Sequence, residues 1–302
     1  MYLSFQPGGA GGGTVLLKAQ QTIDVDGSID VSGSNGHHYG SGGGSGGSLI
    51  ISTYRFTGKG VLLCNGGSSS KGAGGGSGGR LAIHSNVTTF GGKINARGGA
   101  STVESGGPGT IYKRIRTGNG TKRSLEINND GLKPMEKYMV VKNQDENGGK
   151  SWVFAQTQDD FHYDELRLLG GAHVLFVPIV PGSVVIEKLI GDKTGMVHVR
   201  DGDRVSINSA AIEFPSWFRV YEGGSLTLPR VVHLNFMGYR ELFIEGTIGY
   251  IEEFRIGTGV VAYLGNKVQY ACVMLSWFIV NMQARVTNEL NGNENNSLAI
   301  KT

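Results

Sequence analysis

The sequence predicts an all-β protein, a right-handed parallel β-helix with glycine-rich loops stacked along one edge. Glycine supplies 51 of the 302 residues, which is about 17% against a usual share of about 7%. A glycine-rich pattern recurs with a period near 32 residues. Short segments of alternating polarity occupy matching positions in each repeat, which is typical of strands. Together these observations favour a stack of similar coils.

The glycine-rich blocks define the repeat. The segment GSGGGSGGSLII begins at Gly40, and GAGGGSGGRLAI begins at Gly72. With an earlier copy, GGTVLL, and a later one, PGTIYK, the aligned blocks start at residues 12, 46, 78 and 108, so the spacings are 34, 32 and 30. One repeat cannot bury its apolar face alone, so we expect parallel stacking about 4.8 Å apart. Parallel crossovers favour the right-handed form.

A second block repeats in phase with the first and supplies the predicted core ladders. One column of this block contains Ile29, Leu62 and Ile94, and the column two residues on contains Val31, Cys64 and Ala96. Cys64 is therefore expected to behave as a small buried hydrophobe. The loops 34–47, 66–79 and 98–109 recur at one corner, so we predict an ordered glycine layer rather than a flexible fringe.

The repeat pattern divides the chain into four regions. Residues 1–130 form the glycine-rich coils, 131–160 a transition segment, 161–287 a continuing β-helix with coils of about 20–25 residues, and 288–302 a polar tail or cap. A gapless alignment within the third region places Arg167, Arg219 and Arg255 at one repeat position. These arginines form a candidate surface stripe for an anionic glycan, although stacked like charges also repel.

Carboxylates do not form a ladder in the predicted alignment. Glycoside hydrolysis uses two carboxyls about 5–9.5 Å apart, but the column at Asp30 continues as Leu63 and Asn95. Asp24, Asp26 and Asp30 are therefore interpreted as turn and strand residues, and no catalytic residue or cofactor is predicted. Three further candidates for metal binding are interpreted as solvated turns or loops. They are the acidic segment 157–165, the Asp201–Asp203 turn and the His37–His38 pair.

Bulk properties exclude several classes of protein. The net charge of +3 is too small to favour nucleic acid. Two cysteines exclude a disulfide framework. The longest apolar run, 268–280, is too short to span a bilayer, and the first residues do not read as a signal peptide. Acceptor sequences for N-glycosylation begin at Asn86, Asn119 and Asn295.

The run GGGSGG followed by an apolar strand, with the later GGPGTIY, resembles glycine-rich repeats in large secreted proteins of animals and of bacteria. The segments LRLLGGAHVLF and VYEGGSLTLP look like the β-solenoid that follows such repeats in the animal proteins. The resemblance covers residues 8–115 well and 160–265 loosely. It implies an extracellular, matrix-like or adhesive module, and it supplies no catalytic residues.

We therefore predict a non-catalytic extracellular structural or adhesion protein. Residues 1–20 look like an uncapped repeat, which predicts self-association end to end into a filament, or association with other extracellular proteins. One alternative is a carbohydrate-binding or carbohydrate-active lyase or hydrolase. The other is a host-recognition fibre, which trimerisation would support.

Overall fold

The computed structural model describes residues 7–132 except 71 and 119, then 150–155, 161–178, 183–199, 202–208, 217–220 and 224–227, and short strands between 240 and 287. Throughout these residues the regular elements are β-strands, with no α-helix. Consequently, none of this part of the chain forms a helix long and apolar enough to cross a membrane.

The first nine strands cover the glycine-rich repeats and the segment directly after them. They are β1 (Thr14–Lys18), β2 (Thr22–Asp24), β3 (Ser28–Asp30), β4 (Ser48–Thr57), β5 (Val61–Leu63), β6 (Arg80–Thr88), β7 (Lys93–Asn95), β8 (Thr110–Thr117) and β9 (Gly120–Asn128).

Seventeen further strands are short and follow one another closely. They are β10 (Lys150–Ala155), β11 (His162–Tyr163), β12 (Glu165–Leu169), β13 (His173–Pro178), β14 (Ser183–Ile186), β15 (Leu189–Gly191), β16 (Met196–Val199), β17 (Arg204–Ile207), β18 (Trp217–Val220), β19 (Ser225–Thr227), β20 (Arg240–Ile244), β21 (Thr247–Gly249), β22 (Phe254–Ile256), β23 (Val260–Leu264), β24 (Tyr270–Ala271), β25 (Phe278–Val280) and β26 (Arg285–Thr287).

The strands form five sheets. Sheet A has the order β1-β4-β6-β8-β9-β12-β15, with β2 also paired to β4, and sheet B has the order β3-β5-β7. Sheet C runs β10-β13-β16-β18-β20-β23-β26, sheet D runs β11-β14-β17-β19-β21-β24, and sheet E pairs β22 with β25. Every pairing is parallel except that of β8 with β9. The all-β, parallel-sheet part of the prediction is therefore confirmed.

The strand registers follow the predicted repeat. In sheet A, Ser48 pairs with Thr14 and with Arg80. In sheet B, Leu62 pairs with Ile29 and with Ile94, as the alignment of the inner block requires. In sheets C and D, partners on adjacent strands are about 20–24 residues apart. Glycine-rich loops are absent from these shorter described repeats, which accounts for the change in period.

Two hydrophobic cores lie on opposite faces of sheet A. The antiparallel pairing sets Tyr112 opposite Leu125 and Ile111 opposite Glu126, and directly opposed residues point to the same face of a sheet. Ile111 packs into the first core with the buried residues of β4, β5 and β6. Leu125 packs into the second core, against which Tyr112 also lies. The buried face therefore changes where the chain reverses between β8 and β9.

The predicted arginine stripe is wrong, because Arg219 lies in a different sheet from Arg167. Arg167 is in β12 of sheet A, Arg219 in β18 of sheet C and Arg255 in β22 of sheet E. The gapless alignment treated each segment as the same side of a coil, but shorter coils put equivalent-looking segments on different sheets. Arg167 itself pairs with Glu126 at 3.4 Å and with Glu165 at 3.5 Å.

The transition between the two repeat types also differs from its expected bounds. Strand β9 already pairs in parallel with β12 and belongs to the second core, although it precedes residue 131. Within the predicted transition segment, β10 pairs with β13 as part of sheet C. Residues 133–149 and 156–160 of that segment, and the predicted tail 288–302, lie outside the described residues.

Candidate functional site

The glycine-rich loops are joined by backbone hydrogen bonds into one layer, which we call the glycine layer. Outgoing segments follow the short strands of sheet B, and return segments lead into the strands of sheet A. The layer contains three outgoing segments, 33–36, 66–69 and 98–101, and four return segments, 8–13, 42–47, 74–79 and 104–109. The two kinds of segment alternate along one chain of bonds, each 2.8 or 2.9 Å long. These bonds are Gly44 N–H to Ser34 O, Gly67 N–H to Gly44 O, Gly76 N–H to Gly67 O, Gly99 N–H to Gly76 O, and Gly106 N–H to Gly99 O.

Successive return segments are also bonded directly to each other. The N–H of Gly43 donates to Gly74 O at 3.1 Å, and three residues further on Gly46 donates to Ser77 O at 2.7 Å. A spacing of three is the period of polyproline II, which has no internal hydrogen bonds and can direct all of them to neighbours. The loops therefore form the stacked layer that their register predicted.

Two glycines in each turn of a return segment fill positions where no β-carbon fits. A Cβ on Gly75 would lie 2.1 Å from Gly99 O, in the following outgoing segment. A Cβ on Gly76 would lie 1.9 Å from Gly44 O, in the preceding return segment. At the third position there is room, because a Cβ on Gly74 would lie 3.7 Å from Glu104 O. The GG-x pattern of the sequence thus follows from the packing of the segments.

At the positions of the return segments where a Cβ would clash, residues other than glycine occur only in the first and the last segment of the layer. Ala10 takes the position of Gly44 and Gly76 in the first described return segment, where the Cβ points away from the layer. In the last return segment, Ser105 takes the position of Gly75 and Pro108 that of Gly78, and at both positions the Cβ points toward the following repeat. Pro108 also lacks the N–H that Gly46 and Gly78 donate forward. These side chains end the layer, because another segment could not stack on them in register.

Asn129 closes the layer after its last segments. Its side chain is fully buried. Oδ1 accepts the N–H of Gly98 at 2.9 Å, and Nδ2 donates to Gly106 O at 3.2 Å and to Leu132 O at 2.6 Å. In the inner repeats the return-segment carbonyl that corresponds to Gly106 O accepts a backbone N–H of the next outgoing segment. Gly76 O, for example, accepts the N–H of Gly99. The amide of Asn129 therefore replaces backbone groups that no further segment supplies.

A groove of about 680 Å³ crosses the outer face of sheet A. It follows a column of paired residues, Lys18, Ser52, His84 and Arg114, on β1, β4, β6 and β8. Arg116 and Thr121, at the β8–β9 turn, complete one end. The described lining includes no Asp or Glu, so the groove presents a positively charged surface.

The groove lies beside an irregularity in β4, where the register pairs Thr53 with Ser85 and Arg55 with Val87 but leaves out Tyr54. Thr53 and Phe56 are both buried, whereas Tyr54 and Arg55 between them are exposed, so the alternation of buried and exposed residues shifts by one. Tyr54 is 52% exposed and borders the groove. Ser85 on β6 also borders it, and its buried Oγ has no hydrogen-bond partner in the described part of the chain.

The groove brings together basic side chains that have no carboxylate partner among the described residues. Arg97, Lys122 and Arg167 each form a salt bridge with a carboxylate. In contrast, Lys18, Arg114 and Arg116 are exposed, and none of them forms a salt bridge with a described residue. Burial, together with the nearby charge of Arg114, lowers the pKa of His84 below its ordinary value. The groove thus contains three cations that no described carboxylate compensates.

The groove residues were not predicted from the sequence. The predicted columns came from the block around Ile29 and Asp30, although the same repeat alignment places Lys18, Ser52, His84 and Arg114 in one column. The groove could have been found from this column, because its residues are basic or polar and lie on the strands that follow the glycine-rich loops. Of the three predicted glycosylation acceptors, Asn86 lines the groove, and Asn119 and Asn295 lie outside the described residues.

The other candidate sites are dispersed. Asp24 accepts a hydrogen bond from the Thr57 hydroxyl, and Asp26 accepts one from the Lys59 N–H. His37 and His38 are exposed in the first loop. His162 pairs with Glu187 at 2.9 Å. No group of three metal-ligating side chains comes together among the residues that the structure describes. Asp159, Asp160 and Asp201 lie outside those residues.

Cys64 lies in the first core with Val31 and Ala96, and all three side chains are buried. Desolvation, reinforced by the negative charge of Asp30, raises the pKa of the Cys64 thiol to about 11. Since the thiolate is the reactive form, Cys64 should be unreactive near neutral pH.

We predict that Cys64 reacts with a disulfide reagent at pH 8 more than about 100-fold slower in the folded protein than in urea. A Cys272→Ser variant isolates the signal of Cys64. Because the folded state holds its proton more tightly, stability should also decline as pH rises above about 9. Rapid labelling of folded protein at pH 8 would contradict the buried placement of the thiol.

Comparison with protein-family models, with curated proteins and with solved structures found no match to this chain.

Proposed function

We propose that this chain is a non-catalytic, extracellular structural and adhesive module, built as a right-handed parallel β-helix with the glycine layer along one edge. The glycine layer carries the proposal. It is made almost entirely of backbone, and its hydrogen bonds tie three successive repeats together. Such a layer adds stiffness but offers few side chains for chemistry, which suits a scaffold.

The residues at the start of the glycine layer affect how two copies of the chain could associate. Ala10 and Ser34 stand in columns where the inner repeats have Gly76 and Gly67, and a Cβ on either of these glycines would meet a backbone oxygen at 1.9 Å. Another glycine segment is therefore excluded from stacking on them in register. We propose that self-association uses the sides of the β-helix and does not extend the glycine layer end to end.

Sedimentation velocity of the full chain over a hundredfold concentration range tests this function. We expect the weight-average mass to rise with concentration, and we expect no release of reducing sugar from polysaccharides incubated with the protein. A monomer at every concentration, or a fixed trimer as in a host-recognition fibre, would refute the scaffold proposal. Release of reducing sugar would favour the carbohydrate-active alternative instead.

A further inference from the structure

The groove on sheet A has the features of an anion-binding surface. Lys18, Arg114 and Arg116 are exposed and unpaired within the described chain, while the described lining holds no carboxylate. Unpaired cations that share one concave surface raise the local potential and attract anions. Their position in the groove therefore indicates a ligand with negative charge.

The spacing of these cations favours an extended anion over a small one. Lys18 and Arg114 are separated by three strand steps across β1, β4, β6 and β8, which corresponds to about 14 Å at about 4.8 Å per step. A single phosphate or sulfate cannot contact both ends. A polymer with an acidic group at intervals can pair with Lys18 at one end and with Arg114 and Arg116 at the other.

The uncharged groups of the groove favour a sugar polymer. Ser52, Asn86 and Thr121 offer hydroxyl and amide groups, which can both donate to and accept from sugar hydroxyls. The exposed ring of Tyr54 gives one apolar surface for a sugar face. Single-stranded nucleic acid is bound through stacking of successive bases on several aromatic rings, and Tyr54 is the single Tyr, Phe or Trp among the residues described as lining the groove.

We propose that this groove binds an acidic polysaccharide, with Lys18, Arg114 and Arg116 pairing with its carboxylate or sulfate groups. Ser52, Tyr54 and Asn86 contact the sugar rings between these charges. The inference deepens the proposed adhesive function and rests on it, since it names the class of partner to which the module adheres. A glycan attached to Asn86 would occupy the same groove and compete with this ligand.

Binding to immobilised polysaccharides tests the proposal. The full chain, expressed in bacteria so that Asn86 carries no glycan, is passed over polygalacturonate, dextran sulfate and neutral dextran. We expect saturable binding to at least one of the acidic polymers, weakened by added salt, and at least tenfold weaker binding to neutral dextran. Comparing the two acidic polymers distinguishes carboxylate from sulfate recognition.

The variant pair separates the groove from general charge. Arg114→Ala/Arg116→Ala should weaken binding at least about tenfold, whereas Lys59→Ala/Lys93→Ala removes the same charge outside the groove and should change binding less than twofold. Equal losses in the two variants would overturn the site, as would absent binding to both acidic polymers or equal binding to a single-stranded oligonucleotide. Sedimentation of the same samples distinguishes the two failures, because lost binding with intact self-association overturns the groove alone.

Discussion

Gly76→Ala should lower the free energy of unfolding by about 3 kcal/mol or more. The added Cβ would lie 1.9 Å from Gly44 O and 2.5 Å from Gly44 C, and both are backbone atoms that cannot rotate away. Overpacking of a close-packed interior commonly costs about 1–3 kcal/mol and sometimes more. Here the clash also pushes apart the segments that the Gly76 N–H and carbonyl join, at 2.9 Å to Gly67 O and 2.8 Å from Gly99 N.

The chain offers a matched control two residues away. Gly74→Ala makes the same chemical change in the same return segment, but its Cβ would lie 3.7 Å from Glu104 O, an ordinary contact. We expect the free energy of unfolding to change by about 0.5 kcal/mol or less. Urea unfolding gives the free energies, and amide exchange of the 66–79 region locates the effect. Equal stability of the two variants would show that the segments are not packed as described.

Asn129→Ala should cost about 3 kcal/mol and expose the end of the glycine layer. The change leaves the N–H of Gly98 and the carbonyl of Gly106 without the partners that Asn129 provides at 2.9 and 3.2 Å. A buried polar group without a partner costs about 1–3 kcal/mol, and Asn129 is fully buried. Asn129→Asp keeps the acceptor for Gly98 but loses the donor and buries a charge, so it should also destabilise the protein.

Asn35→Ala serves as the control for this change. Asn35 also accepts a backbone hydrogen bond through Oδ1, from the Ser68 N–H at 2.8 Å, but in an exposed position where water can replace it. We expect a loss of about 0.5 kcal/mol or less. Amide exchange at Gly98 should accelerate in Asn129→Ala and remain unchanged in Asn35→Ala. Unchanged exchange at Gly98 in both variants would contradict the capping role of Asn129.

The first half of the fold could be predicted from the sequence because glycine fixes the alignment of its repeats. Glycine blocks mark one corner of every coil, so the columns beginning at Ile29 and Thr14 fall into the observed registers. In the second half no such marker exists. The segments at Leu166 and Phe218 look alike as apolar-Arg-apolar strands, yet they belong to sheets A and C, since a short pattern does not identify the sheet to which a strand belongs.

The reversal between β8 and β9 was not predicted, although the sequence carries a signal for it. Thr117 pairs with Gly120, and the sequence between them is Gly118-Asn119, a dipeptide typical of two-residue β-hairpin connections. Which face is buried could not be read from β8, because Ile111 and Tyr112 are both apolar neighbours on opposite faces. The groove was missed because its cations lie in the outer column that contains Lys18 and Arg114, and this column was not followed in the sequence.

The antiparallel junction has a consequence for handedness. Reversing the strand direction alone would change the hand of the path. Moving the interior to the other face of the sheet alone would also change it. Between β8 and β9 both changes occur together, and their combination equals a half-turn about the axis along which strands stack. The hand of the path is therefore the same before and after the junction, although the two interiors lie on opposite faces of sheet A. Two stacks of different period can therefore share a single sheet through such a junction while their paths keep the same hand.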